Sequence, residues 1–120
     1  MLEGTCLCGR IRWRFDAMPD GATACNCTAC RRYGALWIYG HEGEDVHVAG
    51  DTAAYQRQVD SSLTFHFCPT CGCVTHWQPL PRTAGARMGV NARNFDPADV
   101  AGVRVRVRRL DGASTWKFLD

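Results

Sequence analysis

The sequence predicts a mainly β domain of antiparallel strands, stapled by metal-binding cysteines. Three observations carry this. Apolar and polar residues alternate with a period of two, the pattern of half-buried strands. Turn residues break the chain at intervals of about 8–12 residues, as in all-β domains. Eight cysteines fall in three tight groups instead of being scattered.

The strands follow in order. Ile11-Arg12-Trp13-Arg14-Phe15 alternates apolar and charged side chains, and Val103 to Arg108 does so more regularly. Between them lie shorter strand candidates at 36–39, 46–49, 53–58, 63–67, 74–78 and 86–90. Turns separate them at Pro19-Asp20-Gly21, Gly40 to Gly43, Gly50-Asp51 and Pro79 to Pro81, the last running on through Arg82 to Gly85. No long helical period is present. One short helical turn is expected at 96–100, with Asp96 as N-cap and Pro97 in the first position. Arg104, Arg106 and Arg108 share one strand face, which reads as the solvated face of an edge strand or as an anion-binding stripe.

Composition narrows the function classes. The chain has 120 residues, 46% apolar and 22% charged, which suits one folded domain. It is too short for a multidomain enzyme or a Rossmann-scale cofactor fold. No apolar run approaches the ~18–20 residues of a membrane span. The N-terminal residues show neither a basic nor an apolar signal region, so a cytoplasmic protein with reduced thiols is expected. Net charge is +2 with a single lysine, Lys117; Arg10, Arg12 and Arg14 around Trp13 are the only hint of nucleic-acid binding, and none is expected.

The cysteine groups are Cys6-x-Cys8, Cys25-x-Cys27-x-x-Cys30 and Cys68-x-x-Cys71-x-Cys73. Adjacent C-x-C pairs are awkward partners for disulfides but can place two thiolates on one ion. Cys68-Pro69-Thr70-Cys71-Gly72 has the form of a zinc knuckle, and Cys6-Leu7-Cys8-Gly9 is the best second pair. Together they would make a closed four-thiolate structural zinc site tying the N-terminal strand to the middle of the chain. Cys25, Cys27 and Cys30 then stand as three ligands, and three ligands with an open fourth position is the pattern of catalytic zinc. The other reading closes this site with a fourth ligand: Cys73, His41, His47, His66 or His76. Arg31 and Arg32 follow directly and would offset its charge or hold an anionic substrate, unless they are ordinary surface cations.

These motifs, in this order, resemble the glutathione-dependent formaldehyde-activating enzyme family, which includes centromere protein V. The likeness rests on Gly4-Thr5-Cys6-x-Cys8-Gly9, on Cys25-x-Cys27-x-x-Cys30-Arg31-Arg32 with Gly34-Ala35 behind it, and on Phe67-Cys68-Pro69-x-Cys71-Gly72. Asn91 to Asp96 and Asp111 to Ser114 also look typical, so the resemblance covers nearly all of residues 1–120 as a single domain. It implies an Mss4-like fold and two zinc ions. Cys6, Cys8, Cys68 and Cys71 would bind the structural ion, and Cys25, Cys27 and Cys30 the catalytic one. It also implies a carbon–sulfur lyase that condenses glutathione with formaldehyde to S-(hydroxymethyl)glutathione. Two positions depart from the pattern. Asn26 stands where histidine is frequent, and Cys73 where a small hydroxyl or apolar residue is common, leaving Cys73 as filler, ligand or reactive thiol. For proton delivery, water or His66 are the candidates. The alternative to an enzyme is a binding module with both zinc sites closed.

Overall fold

The computed structural model describes residues 1–17, 19–59, 62–95 and 106–120. Its strands are β1 (Leu2–Thr5), β2 (Arg12–Phe15), β3 (Gly21–Cys25), β4 (Trp37–His41), β5 (Val46–Ala49), β6 (Ala53–Gln56), β7 (Leu63–Phe67), β8 (Val74–Pro79), β9 (Arg87–Asn91) and β10 (Arg106–Leu110). Among the described residues, one helix, α1 (Thr28–Tyr33), follows β3, and one 3-10 turn, Ala92–Asn94, follows β9.

Strands β1, β2 and β5 form a small antiparallel sheet. The other seven form a second sheet in the order β10-β3-β4-β9-β8-β7-β6. The alternation predicted for β2 is observed: Trp13 and Phe15 are buried while Arg12 and Arg14 face solvent. Those two rings, with Leu2 and Val46, pack on Ala22, Ile38, Met88 and Val90 of the larger sheet. The two sheets thus close one apolar core between them, which is the principal source of stability in such a sandwich.

Strands β1 and β3 and helix α1 carry no signal in the periodicity. In β1 the second inward position is Gly4, which lies opposite Trp13; a Cβ there would run into the indole. The apolar pattern is therefore broken where the packing is tightest. The helix is six residues long, too short for a helical period, and its apolar contacts come from Cys30, Ala29 and Tyr33, whose ring packs on Phe65.

One pairing departs from the antiparallel expectation. β10 lies parallel to β3, with Leu110 beside Cys25, at the edge of the large sheet. Because the two strands run the same way, the loops that leave them emerge at the same end of the sheet. The segment after Leu110 therefore lies over the segment after Cys25. Within β10, Arg108 stacks on the Phe118 ring at 3.7 Å and Arg109 pairs with Asp120. The expected turn at 96–100, together with Val103, Arg104 and Val105, lies outside the described residues.

Candidate metal centres and cleft

The first cysteine group is built from two matching turns. Gly9 and Gly72 take left-handed φ values of 80° and 81°, and each amide donates back to the carbonyl of the first cysteine of its turn, Cys6 at 3.0 Å and Cys68 at 2.8 Å. These turns bring the sulfurs of Cys6, Cys8, Cys68 and Cys71 within 4.8 Å of one another. The Cys6–Cys8 and Cys8–Cys68 separations are both 3.6 Å. A tetrahedron with Zn–S bonds of about 2.3 Å has edges of about 3.8 Å, so the spacing fits an ion at the centre. Backbone amides point at the sulfurs. Ile11 donates to Cys6 Sγ at 3.3 Å, and amides of Cys73 and Cys8 bring the Cys71 thiol down to about 6. At Cys8 the amide of Arg10 pulls down, but burial and the neighbouring thiols win and push it up to about 11. Thiols in this environment divide their protons unevenly, and a bound cation would hold all four as thiolates. Cys73 lies beside this group, packed with Cys6, Ile11 and Cys68, and is not one of the four. Burial raises its thiol.

The second group forms where β3 ends. Cys25 is on the opposite face of β3 from the core residue Ala22. Cys27 then caps α1, its sulfur accepting from the Cys30 amide at 3.3 Å. The helix stops at Gly34, in left-handed φ, whose amide donates to the Cys30 carbonyl. The end of β3, the helix cap and the first turn of the helix thus supply one sulfur each, Cys25, Cys27 and Cys30, all within 4.8 Å. Among the described residues no histidine, aspartate, glutamate or further cysteine joins them. Burial pushes the Cys30 and Cys25 thiols up. At Cys27 burial also raises, but the amide of Cys30 and neighbouring donors outweigh it and the thiol falls below its usual range. The Trp37 indole donates to Cys30 Sγ at 3.3 Å. Both groups fit a thiophilic metal ion: the first supplies four donors, the second three.

The three sulfurs open into a cleft of about 830 Å³. Its floor is the outer face of the large sheet, where strand register sets side chains in a row. Tyr39 pairs with Gly89, Gly89 with Trp77, and Trp77 with Phe65. Gly89 is required because the Trp77 indole lies where a Cβ would be. The opposite wall is the segment after β10, with Gly112, Trp116 and Phe118. Asn26 fastens that segment down. Its side chain donates to Asp111 Oδ1 at 3.1 Å and accepts from the Ala113 amide at 2.9 Å. The family's frequent histidine position thus carries a loop clamp here.

Two arginines line the cleft, Arg57 and Arg87. Arg57 donates to Thr28 Oγ1 at 2.8 Å, and Arg87 stacks over the Tyr39 ring at 4.1 Å. Burial raises the Tyr39 hydroxyl above its ordinary value, so it is protonated at neutral pH. Arg31 and Arg32 are exposed on α1 and do not line the cleft; Arg32 donates to the Thr28 carbonyl at 2.9 Å. His66 lies on the other face of β7 from Phe65, stacked on His76 at 4.5 Å, and so is turned away from the sulfurs. His47 pairs with Asp16 on the small sheet. Sequence reading could not find Arg57, Arg87 or Tyr39, because they come from three separate strands or loops and no local motif links them.

A family model described as glutathione-dependent formaldehyde-activating enzyme matches residues 1–107. A curated relative from Halomonas elongata, provisionally named as such an enzyme, is 32% identical over 81 residues. That match covers 59% of this chain and about half, 52%, of the relative. A crystal structure of a Rhodobacter sphaeroides protein superposes with a TM-score of 0.64 at 28% identity, covering 88% of this chain and 99% of that one. The chain belongs to the glutathione-dependent formaldehyde-activating enzyme family.

Proposed function

We propose that this member of the family is a cytoplasmic carbon–sulfur lyase that joins a small thiol, glutathione in the family's description, to an aldehyde such as formaldehyde. The observation that carries the reading is the set of three sulfurs, Cys25, Cys27 and Cys30, at the head of an 830 Å³ cleft with no fourth protein donor among the described residues. We assign two zinc ions per chain, a structural one to Cys6, Cys8, Cys68 and Cys71 and a catalytic one to the three-cysteine group. Zinc in that second site would supply a soft, open coordination position that favours a substrate thiol as its thiolate.

The chain's own residues do the rest. Arg57 and Arg87 are placed to hold carboxylates of the thiol, the task the sequence suggests for Arg31 and Arg32. The thiolate sulfur bonds to the carbonyl carbon, and the C=O π pair moves to oxygen. That oxygen takes up a proton equivalent to the one the thiol lost. Tyr39 offers a protonated phenol in the same cleft for that transfer.

The test is Cys27→Ala with cobalt in place of zinc in the wild type. The variant is expected to stay folded, carry one ion fewer and lose thiol–aldehyde condensation. Millimolar glutathione is expected to shift the visible spectrum of the wild-type cobalt protein. A cobalt spectrum of four protein ligands, indifferent to thiols, would refute the enzyme reading and leave a binding module with two closed sites.

A further inference from the structure

The cleft is walled on two sides by aromatic side chains, more than a one-carbon aldehyde can use. We propose that the electrophile joined here carries an apolar, ring-sized substituent, seated against Trp116 and Phe118. The substrate class is then the S-conjugate of an anionic thiol with an aryl or bulky alkyl aldehyde. The inference rests on the thiol–aldehyde reading above and specifies the carbon side of it.

Size gives the first argument. A cleft of about 830 Å³ lies in the upper part of the range of sites that enclose drug-sized ligands. Formaldehyde contributes two heavy atoms. Chemistry gives the second. The polar demands of the thiol are met by Arg57, Arg87 and the sulfurs; with the Trp37 N–H spent on Cys30 Sγ and Arg108 stacked on Phe118, the apolar surfaces of Trp37, Phe65 and Trp77 line one side and those of Trp116 and Phe118 the other. Facing aromatic walls are a site for a ring.

The build of the Trp116 loop gives the third. Trp116 is 69% exposed, yet it is the one non-glycine residue with positive φ among the described residues, at 58°. A bulky residue in that region is strained, and strain persists only where the surroundings impose it. Here they do. The Trp116 amide donates to the Asp111 carbonyl at 2.8 Å, and Thr115 donates twice to the Asp111 carboxylate. Asp111 is in turn held by Asn26, between two of the three cysteines. An exposed indole is thereby fixed at the rim of the sulfur site. Trp116 and Phe118 both lie beyond residue 107, where the family match ends.

Bond making is the same as for formaldehyde: one C–S bond forms, the C=O π bond breaks, and the thiol proton ends on oxygen. Only the carbon substituent differs.

The experiment compares two stable thioethers, S-methylglutathione and S-benzylglutathione, on the zinc-loaded protein. Three of the four tryptophans line the cleft, so indole fluorescence reports binding, with calorimetry alongside. S-benzylglutathione is expected to bind about tenfold tighter or more, the order that burying one ring contributes. Trp116→Gly removes the indole and relieves the φ strain together, so it is expected to fold. It should erase most of that ratio and leave the S-methylglutathione Kd unchanged. Equal affinities in the wild type, or a ratio untouched by Trp116→Gly, would overturn the ring-sized substituent and leave the thiol–aldehyde reading standing. Failure of glutathione and both thioethers to bind would overturn both.

Discussion

Gly112→Ala separates the fold from the three-cysteine site with one methyl group. A Cβ at Gly112 would overlap Cys25 Sγ and lie 3.4 Å from Cys27 Cβ and 3.6 Å from Trp116 Cζ3. The last two contacts are tolerable, so the burden falls on Cys25. Its sulfur is the end of a rotatable side chain and can swing away, at the modest cost of a shifted rotamer, about 0.5–1.5 kcal/mol. Swinging away removes it from the other two sulfurs, with which it shares a 4.8 Å group. Stability should therefore fall by about 1 kcal/mol, a few degrees in Tm for a domain of this size. Metal affinity at the site should fall by about 10–100-fold, the range seen when the support of a ligand is disturbed. The assay is competitive chelation, reading zinc per chain against chelator concentration, with a thermal melt on the same samples. One ion should leave early and one late, with the late one unchanged from wild type. If Gly112→Ala releases both ions together, or neither earlier than wild type, then Gly112 is not what seats Cys25.

Three further outcomes follow from other parts of the molecule. Cys68→Ser leaves three ligands where two turns need four. Loss of even part of the ~10–16 kcal/mol of a structural zinc should unfold a domain of ordinary ~5–15 kcal/mol stability, read by circular dichroism. Arg57→Ala or Arg87→Ala should raise KM for glutathione about 10–100-fold with kcat little changed, as loss of a charged hydrogen bond does, whereas Arg31→Ala and Arg32→Ala should leave steady-state kinetics unchanged. Burial, reinforced by His66 and Arg82 nearby, lowers His76 to about 3. The folded state then binds fewer protons than the unfolded one, whose histidine titrates near 6.5, so stability falls as pH drops through the window from 6.5 to 3. At pH 5 the loss is about 2 kcal/mol from this residue, so the unfolding free energy from denaturant titrations should fall by about that much more between pH 7 and pH 5 in the wild type than in His76→Gln.

How much of this was legible in the sequence depends on whether the cause is local. Strands at 46–49 and 63–67 were read with their observed limits, and the strands at 12–15, 37–41, 53–56, 74–79 and 87–91 within a few residues. In β2 the alternation of apolar and charged residues matches burial directly, whereas β4 and β9 bury consecutive residues and were legible from the turn residues that bound them. The two cysteine groups were legible for the same reason, since spacing within each turn fixes which sulfurs can meet. Strand β1 was not legible because its inward glycine, Gly4, makes room for Trp13, nine residues away in a different strand. A glycine chosen by a distant neighbour reads locally as a turn.

The cleft was illegible for a stronger reason. Its row of aromatics is created by register among β4, β9, β8 and β7, and no window of the sequence contains two of its members at a telling distance. Tyr39 and Trp77 read singly as core residues. The arginines next to the cysteines looked like anion ligands because adjacency is all a sequence displays. On a helix, though, the residues after Cys30 turn away from the side that carries the sulfurs, and Arg31 and Arg32 point to solvent. The parallel β3–β10 pairing decides the rest. An antiparallel β10 would send residues 111–118 off the far end of the sheet, and the sulfurs would face water with a single wall. Running parallel, β10 delivers Gly112 onto Cys25 and Trp116 to the rim. A strand direction that alternation cannot encode thus determines whether the three cysteines lie on an open surface or in a cleft with a second wall.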